Sequence, residues 1–502
     1  MDTSPRRSGI LLHPSSLPSA DGIGNIGAAS QEFIRQLASA GQSVWQMLPV
    51  GPPDAVGSPY SSTSAMAGDP ALIDTAELHD LSSEGRPSFK ERASDIHVSR
   101  RLKQRLLQRS FQEFRKNKGN LKALETFKAQ EEAWLDDYAL FHALADHYGT
   151  VRWYDWPQDL AQRDPVALRT AKQSFTEQHE FWCFCQYEFD RQWSELRACA
   201  HDHKVELVGD APIYVGYESC DVWANPELFS LDPNTRAIKS YAGVPPDDFF
   251  GGEPQNWGMP TYEWSNHAAD RYQWWVSRIR RLTSLFDLIR VDHFRALESF
   301  WSISDPSKPG DGAWIEGPGQ AFFDAIYDAL GPIRLIAEDI GIITEAVDKL
   351  RLDNKIPGIR VLQYGFGLDL SPNNHLPEAV DDNAVVYTGT HDTDTTMGWY
   401  DSLSDEKRQF LERYWQDSQS DMDLSPPWRL MLTAMRTRAH TVVIPMQDVL
   451  NLGSEARMNL PGVVNETNWS WRMEAPMTEA VINALKALTR TAGRLRASTS
   501  EV

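Results

Sequence analysis

The sequence predicts an α/β protein built on a (β/α)₈ barrel with large insertions, and three observations support this prediction. Eight short apolar runs recur along the 502 residues, helical patterns lie between many of them, and acids or amides stand where several runs end. Short apolar runs separated by helical segments are typical of parallel βα units. In a barrel of such units the functional side chains gather at the C-terminal ends of the strands.

The predicted strands follow one another along the whole chain. They are residues 9–13, 44–49, 205–210, 286–292, 333–338, 359–363, 384–392 and 441–448. Helical patterns connect them at residues 28–40, 267–285, 320–330, 405–415 and 428–440. A last helix and a polar tail are predicted after residue 474. We therefore expect residues 1–502 to form a single catalytic barrel.

Two segments are too long to be ordinary βα loops. The second and third runs are separated by 155 residues, positions 50 to 204. Within this gap, residues 99–116, 122–148 and 165–200 carry apolar residues at helical spacing, which predicts an inserted, mainly helical subdomain over 75–203. Residues 220–265 are rich in Gly, Pro and aromatics with little periodicity. Because long ordered loops are usually functional, this segment predicts an inserted active-site loop region.

The composition excludes several classes of partner. The formal net charge of -21 repels phosphate backbones and anionic lipids, so neither nucleic acid nor a membrane is expected as a partner. No apolar run is long enough to span a bilayer, and the apolar stretch 9–12 is too short for a signal-peptide core. The sequence therefore predicts a cytoplasmic protein, and we expect a monomer or a weak oligomer.

Several motifs that resemble cofactor or metal sites have simpler interpretations. Residues 22–27 spell G-x-G-x-x-G, but no strand directly precedes them, so a turn at a helix start is favoured over a dinucleotide site. Cys183 and Cys185 lie in an aromatic, helix-like stretch that predicts buried structural thiols. His201 and His203 lie on a polar stretch that favours a solvated surface. No zinc pattern is present, and we expect no metal.

One alternative comes from another enzyme class. Residues 392–396 (DTDTT) resemble the D-x-D-x-T motif of phosphotransferases that form an aspartyl phosphate, and carboxylates can act as phosphoryl nucleophiles. In that class the motif is expected after the first strand, whereas here it follows the seventh predicted strand. The position of the motif therefore disfavours this alternative.

Three carboxylates at predicted strand ends form the strongest candidate site. Arg290 and Asp292 are two residues apart and point to one face of a strand, so the guanidinium should lower the pKa of Asp292 by about 1–3 units and keep it ionised. An apolar stretch precedes Glu338 and should raise its pKa, as a general acid requires. Asp392 stands beside His391. A nucleophile, a proton donor and a third acid fit retaining glycoside cleavage, although each acid taken alone is more simply interpreted as a cap or an ion-pair partner.

The segments around these acids resemble the amylomaltase, or disproportionating-enzyme, family of 4-α-glucanotransferases in the α-amylase superfamily. The similarity extends from about residue 8 to residue 472. It rests on residues 8–18 (SGILLHPSSLP), 58–60 (SPY), 209–215 (GDAPIYV), 290–295 (RVDHFR), 317–319 (GPG), 337–341 (AEDIG), 357–363 (PGIRVLQ), 387–395 (YTGTHDTDT) and 457–462 (RMNLPG). The resemblance implies that Asp292 is the nucleophile, that Glu338 is the acid/base, and that Asp392 stabilises the transition state.

The same resemblance implies the substrate and its contacts. Expected substrates are α-1,4-glucans and maltooligosaccharides, with glucose as acceptor or product, and no metal or organic cofactor is needed. Five side chains are implied to bind the sugars: Tyr60, Asp210, Trp257, Arg290 and His391. Tyr60 would be a stacking platform. Residues 245–260, with Phe249 and Phe250, are similar to a mobile loop that covers the glucan in this family.

Some positions depart from the family pattern. Gly57 stands where an acid is usual, Val463 where threonine is usual, and Asn451 where glycine is usual. None of them touches the three acids, so they bear on acceptor preference and product size. Two other functions remain open at this point: a hydrolase of the same superfamily, and a glucan-binding protein without catalysis.

Overall fold

The computed structural model describes residues 6–19, 22–78, 96–117, 120–247, 252–369, 373–418 and 423–495. In these ranges the strands are β1 (Arg7–Leu11), β2 (Val44–Gln46), β3 (Glu206–Ala211), β4 (Tyr241–Val244), β5 (Gln255–Pro260), β6 (Leu288–Val291), β7 (Ser299–Ile303), β8 (Ala313–Glu316), β9 (Leu335–Ala337), β10 (Gly358–Val361), β11 (Ala384–Tyr387) and β12 (Thr441–Pro445).

The helices of these ranges are α1 (Ala28–Ser39), α2 (Ile96–Lys116), α3 (Leu121–Gln130), α4 (Glu132–Tyr148), α5 (Gln158–Ala161), α6 (Pro165–Ser174), α7 (Thr176–Asp202), α8 (Cys220–Ala224), α9 (Trp264–Ala269), α10 (Gln273–Leu285), α11 (Gly319–Leu330), α12 (Glu345–Asp353), α13 (Leu362–Gly367), α14 (Thr396–Ser402), α15 (Asp405–Asp417), α16 (Pro426–Arg436), α17 (Met446–Val449) and α18 (Glu479–Thr491). None of the helices described has the length and apolar character that a membrane crossing requires.

Eight parallel strands close into a barrel in the order β1, β2, β3, β6, β9, β10, β11 and β12, and β12 pairs with β1 to complete the ring. Each of the eight predicted runs overlaps one of these strands, which confirms the predicted barrel. The predicted helix 267–285 is divided into α9 and α10. The break lies at Arg271 and Tyr272, which both have a left-handed backbone with φ of +59°.

The side chains of the barrel strands alternate between two buried layers. On β1 and β2, Ile10 and Trp45 belong to a large outer cluster that includes the surrounding helices, whereas their neighbours Leu11 and Val44 belong to a separate inner cluster. All eight barrel strands contribute to this inner cluster. The barrel is therefore a packed core, and its functional surface must lie at a mouth rather than along a pore.

Helices α2 to α7 lie between β2 and β3, which confirms a mainly helical insertion at this point of the barrel. Helices α4 and α7 pack against each other through aromatic side chains, for example Tyr138 and Trp182, whose ring centroids are 6.2 Å apart. Cys183 and Cys185 are buried in α7, as predicted. Residues 79–95 of the predicted subdomain lie outside the described residues.

The second insertion contains secondary structure that the sequence did not predict. Strands β4 and β5 join β7 and β8, which come from the segment after β6, in a four-stranded antiparallel sheet of order β5-β4-β7-β8. The strands are short, and Gly243 and Gly258 interrupt their patterns. Because half of the sheet comes from a distant segment, residues 220–265 carry no local signal for it. Phe249 and Phe250 lie outside the described residues.

Arg494, just after α18, joins both ends of the chain to the barrel. Its guanidinium donates hydrogen bonds to five backbone carbonyls around the start of β12 and on β1: those of Met435, Thr437, Ala439, His440 and Arg7, at 2.7 to 3.2 Å. None of the five acceptors is a carboxylate. The side chain is fully buried, so these bonds replace hydration that the carbonyls and the guanidinium lose on folding.

We expect Arg494→Met to destabilise the fold by about 3 kcal/mol, because it leaves several buried carbonyls without donors. For a protein of this size the melting temperature should fall by about 3 °C, which differential scanning calorimetry can measure. Arg490→Met is the matched control, since Arg490 is exposed on α18 and its loss should leave the melting temperature unchanged. Equal melting of both variants would contradict the assigned role.

Candidate active site

A cavity of about 480 Å³ opens at the C-terminal mouth of the barrel. Asp292 directly follows β6, Glu338 directly follows β9, and Asp392 lies on the loop after β11. All three carboxyl groups line this cavity. The predicted convergence of the three acids is therefore observed. It arises because parallel barrel strands present their C-terminal ends at one mouth.

Arg290 organises the acidic floor of the cavity. Its Nη1 atom contacts both carboxylate oxygens of Asp210, at 2.6 and 2.7 Å, and Oδ1 of Asp292 at 3.0 Å. Tyr60 donates its hydroxyl to the same Asp210 at 2.8 Å. The Asp210 side chain is completely buried and is not among the cavity-lining residues. It lies behind Arg290 and Tyr60 and orients both, which differs from the expected direct contact with sugar.

The pKa of Asp292 is raised to about 6, because burial outweighs the attraction of Arg290. Nearby Asp210 and Asp392 raise it further by charge repulsion. The predicted direction, a pKa lowered by Arg290, was wrong, since two residues' spacing on a strand says nothing about how deeply the site is desolvated. Asp292 still ionises near neutral pH, and Arg290 at 3.0 Å pairs with its charge.

The environment of Glu338 favours its protonated form. Burial raises its pKa to about 8, and the negative charge of Asp292 adds to this rise while Arg290 opposes it. The predicted elevation is confirmed. The backbone N–H of His293 donates to Oε2 of Glu338 at 2.5 Å and fixes the carboxyl group in the cavity. One mouth thus holds a carboxyl group that is protonated at neutral pH beside another that is mostly ionised.

Asp392 is held ionised by its neighbours. Burial alone would raise its pKa, but His391, at 3.1 Å, and a hydrogen bond from Asn459, at 2.6 Å, lower it to about 2. Arg457 contacts the backbone carbonyls of both Asp392, at 2.6 Å, and Asn459, at 2.7 Å. Residues 457–462 resemble the family pattern, but the sequence alone predicts no role for Arg457 or Asn459.

We expect Asn459→Ala to lower turnover of maltotriose about 10- to 100-fold, because a hydrogen bond to a charged group contributes about 1.5–3 kcal/mol. Without this donor Asp392 is less stabilised as an anion and freer to rotate. The rate can be measured by following glucose release. Asn234→Ala, at an exposed position outside the cavity, is the control. Unchanged turnover in Asn459→Ala would show that His391 alone orients Asp392.

Aromatic rings form the walls of the cavity. Tyr60 stacks on His391 with ring centroids 5.0 Å apart and planes 15° apart, and Trp469 lies 5.7 Å from Tyr60. Trp257 lines the opposite part of the cavity near His293, with centroids 4.9 Å apart. Flat rings with polar edges suit the faces of sugar rings. Trp469 was missed by sequence reasoning, because nothing in its local pattern separates it from core tryptophans.

The glycine-rich segment and His201 have the structures that the sequence favours. Gly27 directly precedes α1, so the glycine-rich segment is a turn at a helix start. The side chain of His201 is 52% exposed and pairs with Asp287. Asp394, the second acid of the DTDTT motif, accepts from Ser454 at 2.6 Å. Over the described ranges, no group of three or more His, Cys, Asp or Glu side chains has the arrangement of metal ligands.

The positions that depart from the family pattern lie away from the acids. Asn451 has a left-handed backbone, with φ of +54°, which explains why glycine is usual and why asparagine is tolerated there. Gly57 also has a positive φ, of +87°. Val463 lines the cavity and is 46% exposed. Of these three, only Val463 has a side chain placed to contact a ligand.

Comparisons with known proteins agree with this geometry. A family model described as 4-alpha-glucanotransferase matches residues 12–478. The 4-alpha-glucanotransferase of Thermus thermophilus is 40% identical over 482 residues, covering 93% of this chain and 95% of the relative. The chloroplastic/amyloplastic 4-alpha-glucanotransferase of Solanum tuberosum is 40% identical over 507 residues, covering 98% and 87%. The structure of amylomaltase from Streptococcus agalactiae in complex with acarbose superimposes with a TM-score of 0.91 at 32% identity, covering 98% of this chain and 100% of that chain.

Proposed function

Because this chain belongs to the 4-alpha-glucanotransferase family, we propose that it transfers a segment of an α-1,4-glucan to the 4-hydroxyl of an acceptor by double displacement through a covalent glycosyl-Asp292 intermediate. One observation gives this mechanism its main support. A carboxylate paired with Arg290 and a second carboxyl group with a raised pKa face the same sugar-sized cavity. A nucleophile and a proton donor are the two groups that retaining cleavage requires.

In the first half-reaction Glu338 gives its proton to the bridging oxygen. An Asp292 oxygen attacks the anomeric carbon, and the bond to the leaving glucan breaks. The transition state carries positive charge on the sugar ring. Asp392 is ionised across the neutral range, and its charge raises the pKa of both other acids, so it lies close to them. A negative charge at this position is placed to stabilise the positive charge of the sugar.

In the second half-reaction Glu338, now ionised, takes the proton from the 4-hydroxyl of an acceptor, whose oxygen displaces Asp292 from the anomeric carbon. Water could attack instead. Exposed apolar side chains line the cavity, among them Ile342, Leu460, Val463 and Val464. An apolar mouth covered by a bound acceptor disfavours ordered water near the intermediate, which supports transfer over hydrolysis.

The substrates follow from the same site. We propose that maltooligosaccharides and longer α-1,4-glucans bind along the cavity with Tyr60, Trp257 and His391 as contacts, and that glucose serves as acceptor or product. Acarbose should bind in this cavity, by similarity to the Streptococcus agalactiae amylomaltase, whose structure is a complex with acarbose. The whole chain would act as one catalytic barrel, with 75–203 and 220–265 as its insertions.

Incubation with maltotriose tests this function. Transfer predicts glucose together with a ladder of maltooligosaccharides longer than the substrate, because each cleaved segment moves to another chain. Hydrolysis predicts maltose and glucose without longer products, and a glucan-binding protein predicts no change. Chromatography of the products separates these outcomes. Longer products that persist in the presence of a chelator would also exclude a metal-dependent phosphotransferase.

A further inference from the structure

His293 has an unusual backbone next to the proposed nucleophile. It directly follows Asp292 and has a left-handed conformation, with φ of +47° and ψ of +49°. Such a conformation is uncommon for residues other than glycine, although histidine, like asparagine and aspartate, adopts it more often than most, and it needs support from its surroundings. Here it aims the backbone N–H at Oε2 of Glu338. The backbone of His293 therefore belongs to the acid/base side of the cavity.

The imidazole of His293 lines the same part of the cavity. It lies edge to face with Trp257, with planes 90° apart. On the other side of the cavity, Tyr60 stacks on His391, and His391 pairs with Asp392. These contacts involve no atom of His293. Because Glu338 must face the bridging oxygen, groups beside Glu338 and away from Asp392 lie where the leaving or the incoming sugar binds.

One ring nitrogen lacks a partner. Within the described part of the chain, Nε2 of His293 is buried and has no hydrogen bond. Burial, with a contribution from the charge of Arg295, lowers the pKa of this histidine to about 3, so the ring is neutral and offers one donor and one acceptor. A buried polar atom without a partner costs about 1–3 kcal/mol, which a bound hydroxyl can recover.

We propose that the imidazole of His293 binds a hydroxyl group of the sugar on the acceptor side of the scissile bond. This sugar is the leaving unit of the first half-reaction and the acceptor glucose of the second. The inference deepens the proposed function, since it relies on Glu338 as the acid/base. It makes His293 a residue that selects a sugar, rather than water, as the attacking group.

The variant His293→Gly removes the imidazole and keeps the backbone, because glycine adopts the left-handed conformation freely and retains the N–H that contacts Glu338. The donor should be α-maltotriosyl fluoride, whose leaving group is fluoride and not a sugar. Asp292 attacks the anomeric carbon and fluoride leaves, without any contact to His293. Glucose is then the acceptor, and a fluoride electrode reports both steps.

We expect the first-turnover burst of fluoride to keep its wild-type rate within about twofold. The KM for glucose should rise about tenfold, which corresponds to the loss of one hydrogen bond, with little change in turnover at saturating glucose. His293→Asn, which also tolerates the left-handed backbone, should restore part of the glucose affinity through its amide. Lys355→Gly, at an exposed left-handed position, controls for the added glycine.

Two results would overturn the inference. An unchanged KM for glucose in His293→Gly would show that the ring only fills space. A parallel fall of the fluoride burst and of the transfer rate would show that the residue acts solely by positioning Glu338 or Asp292. A wild-type protein that releases no fluoride from this donor, with or without glucose, would argue against the glycosyl-Asp292 intermediate itself, which separates a failure of the proposed function from a failure of the role of His293.

Discussion

Asp292→Asn should lower turnover of maltotriose by about four orders of magnitude or more. An amide is too weak a nucleophile to attack the anomeric carbon, and loss of a covalent nucleophile has effects of this size in other enzymes. The substitution keeps the volume of the side chain and one oxygen that can contact Arg290. Because the expected rate is so low, product formation should be followed over hours with a high enzyme concentration.

The loss should be confined to chemistry. Arg290 remains held by both oxygens of Asp210, so the charged floor of the cavity persists in the variant. We expect acarbose to bind Asp292→Asn about as tightly as the wild type in calorimetric titration, and the melting temperature to stay the same or rise. Asp417→Asn, an exposed position at the end of α15, is the matched control with full activity. A nearly normal rate in Asp292→Asn would refute the nucleophile.

The barrel could be predicted because each of its strands carries its own signal. A buried parallel strand is a short apolar run, and β11 or β12 can be recognised without knowing what it pairs with. The antiparallel sheet has no such signal. Strand β4 pairs with β7, which begins only at Ser299, and β8 is exposed along its whole length. Pairing between distant, half-exposed segments is a tertiary property.

The same distinction applies to the site. Asp292, Glu338 and Asp392 stand at strand ends, and a barrel brings strand ends together, so their convergence followed from local patterns. Burial did not. The sequence places Arg290 beside Asp292 but cannot tell how far both lie from water, and this depth decides the direction of the pKa shift. Asn459 was missed because it reaches Asp392 from a loop 67 positions later.

The pH dependence of activity should also be large, because catalysis needs a proton on Glu338. Activity requires Asp292 ionised and Glu338 protonated in the same molecule. Asp292 has a pKa of about 6, so its active form is lost as the pH falls below that value. Glu338 has a pKa of about 8, so its active form is lost as the pH rises above that value. We therefore expect kcat/KM for maltotriose to follow a bell-shaped profile with limbs near these two values.

Glu338→Gln separates the two limbs. Glutamine cannot donate the proton, so turnover of maltotriose should fall about 10²- to 10⁴-fold, and the alkaline limb should disappear while the acidic limb of Asp292 stays in place. The acidic limb stays because Glu338 is protonated and uncharged at the pH where Asp292 ionises, as the neutral glutamine is. Glu345→Gln, exposed at the start of α12, should keep both limbs.

A donor whose leaving group needs no proton tests the role of Glu338 as the acid. With α-maltotriosyl fluoride the leaving group departs as fluoride, so Glu338→Gln should release its first equivalent of fluoride at close to the wild-type rate and then stall, because no base remains to activate the acceptor. The stalled species should carry a maltotriosyl group on Asp292 that intact-protein mass spectrometry can detect. If the burst slows as much as maltotriose turnover does, Glu338 acts on the geometry of Asp292 and the proton donor must be sought elsewhere in the cavity.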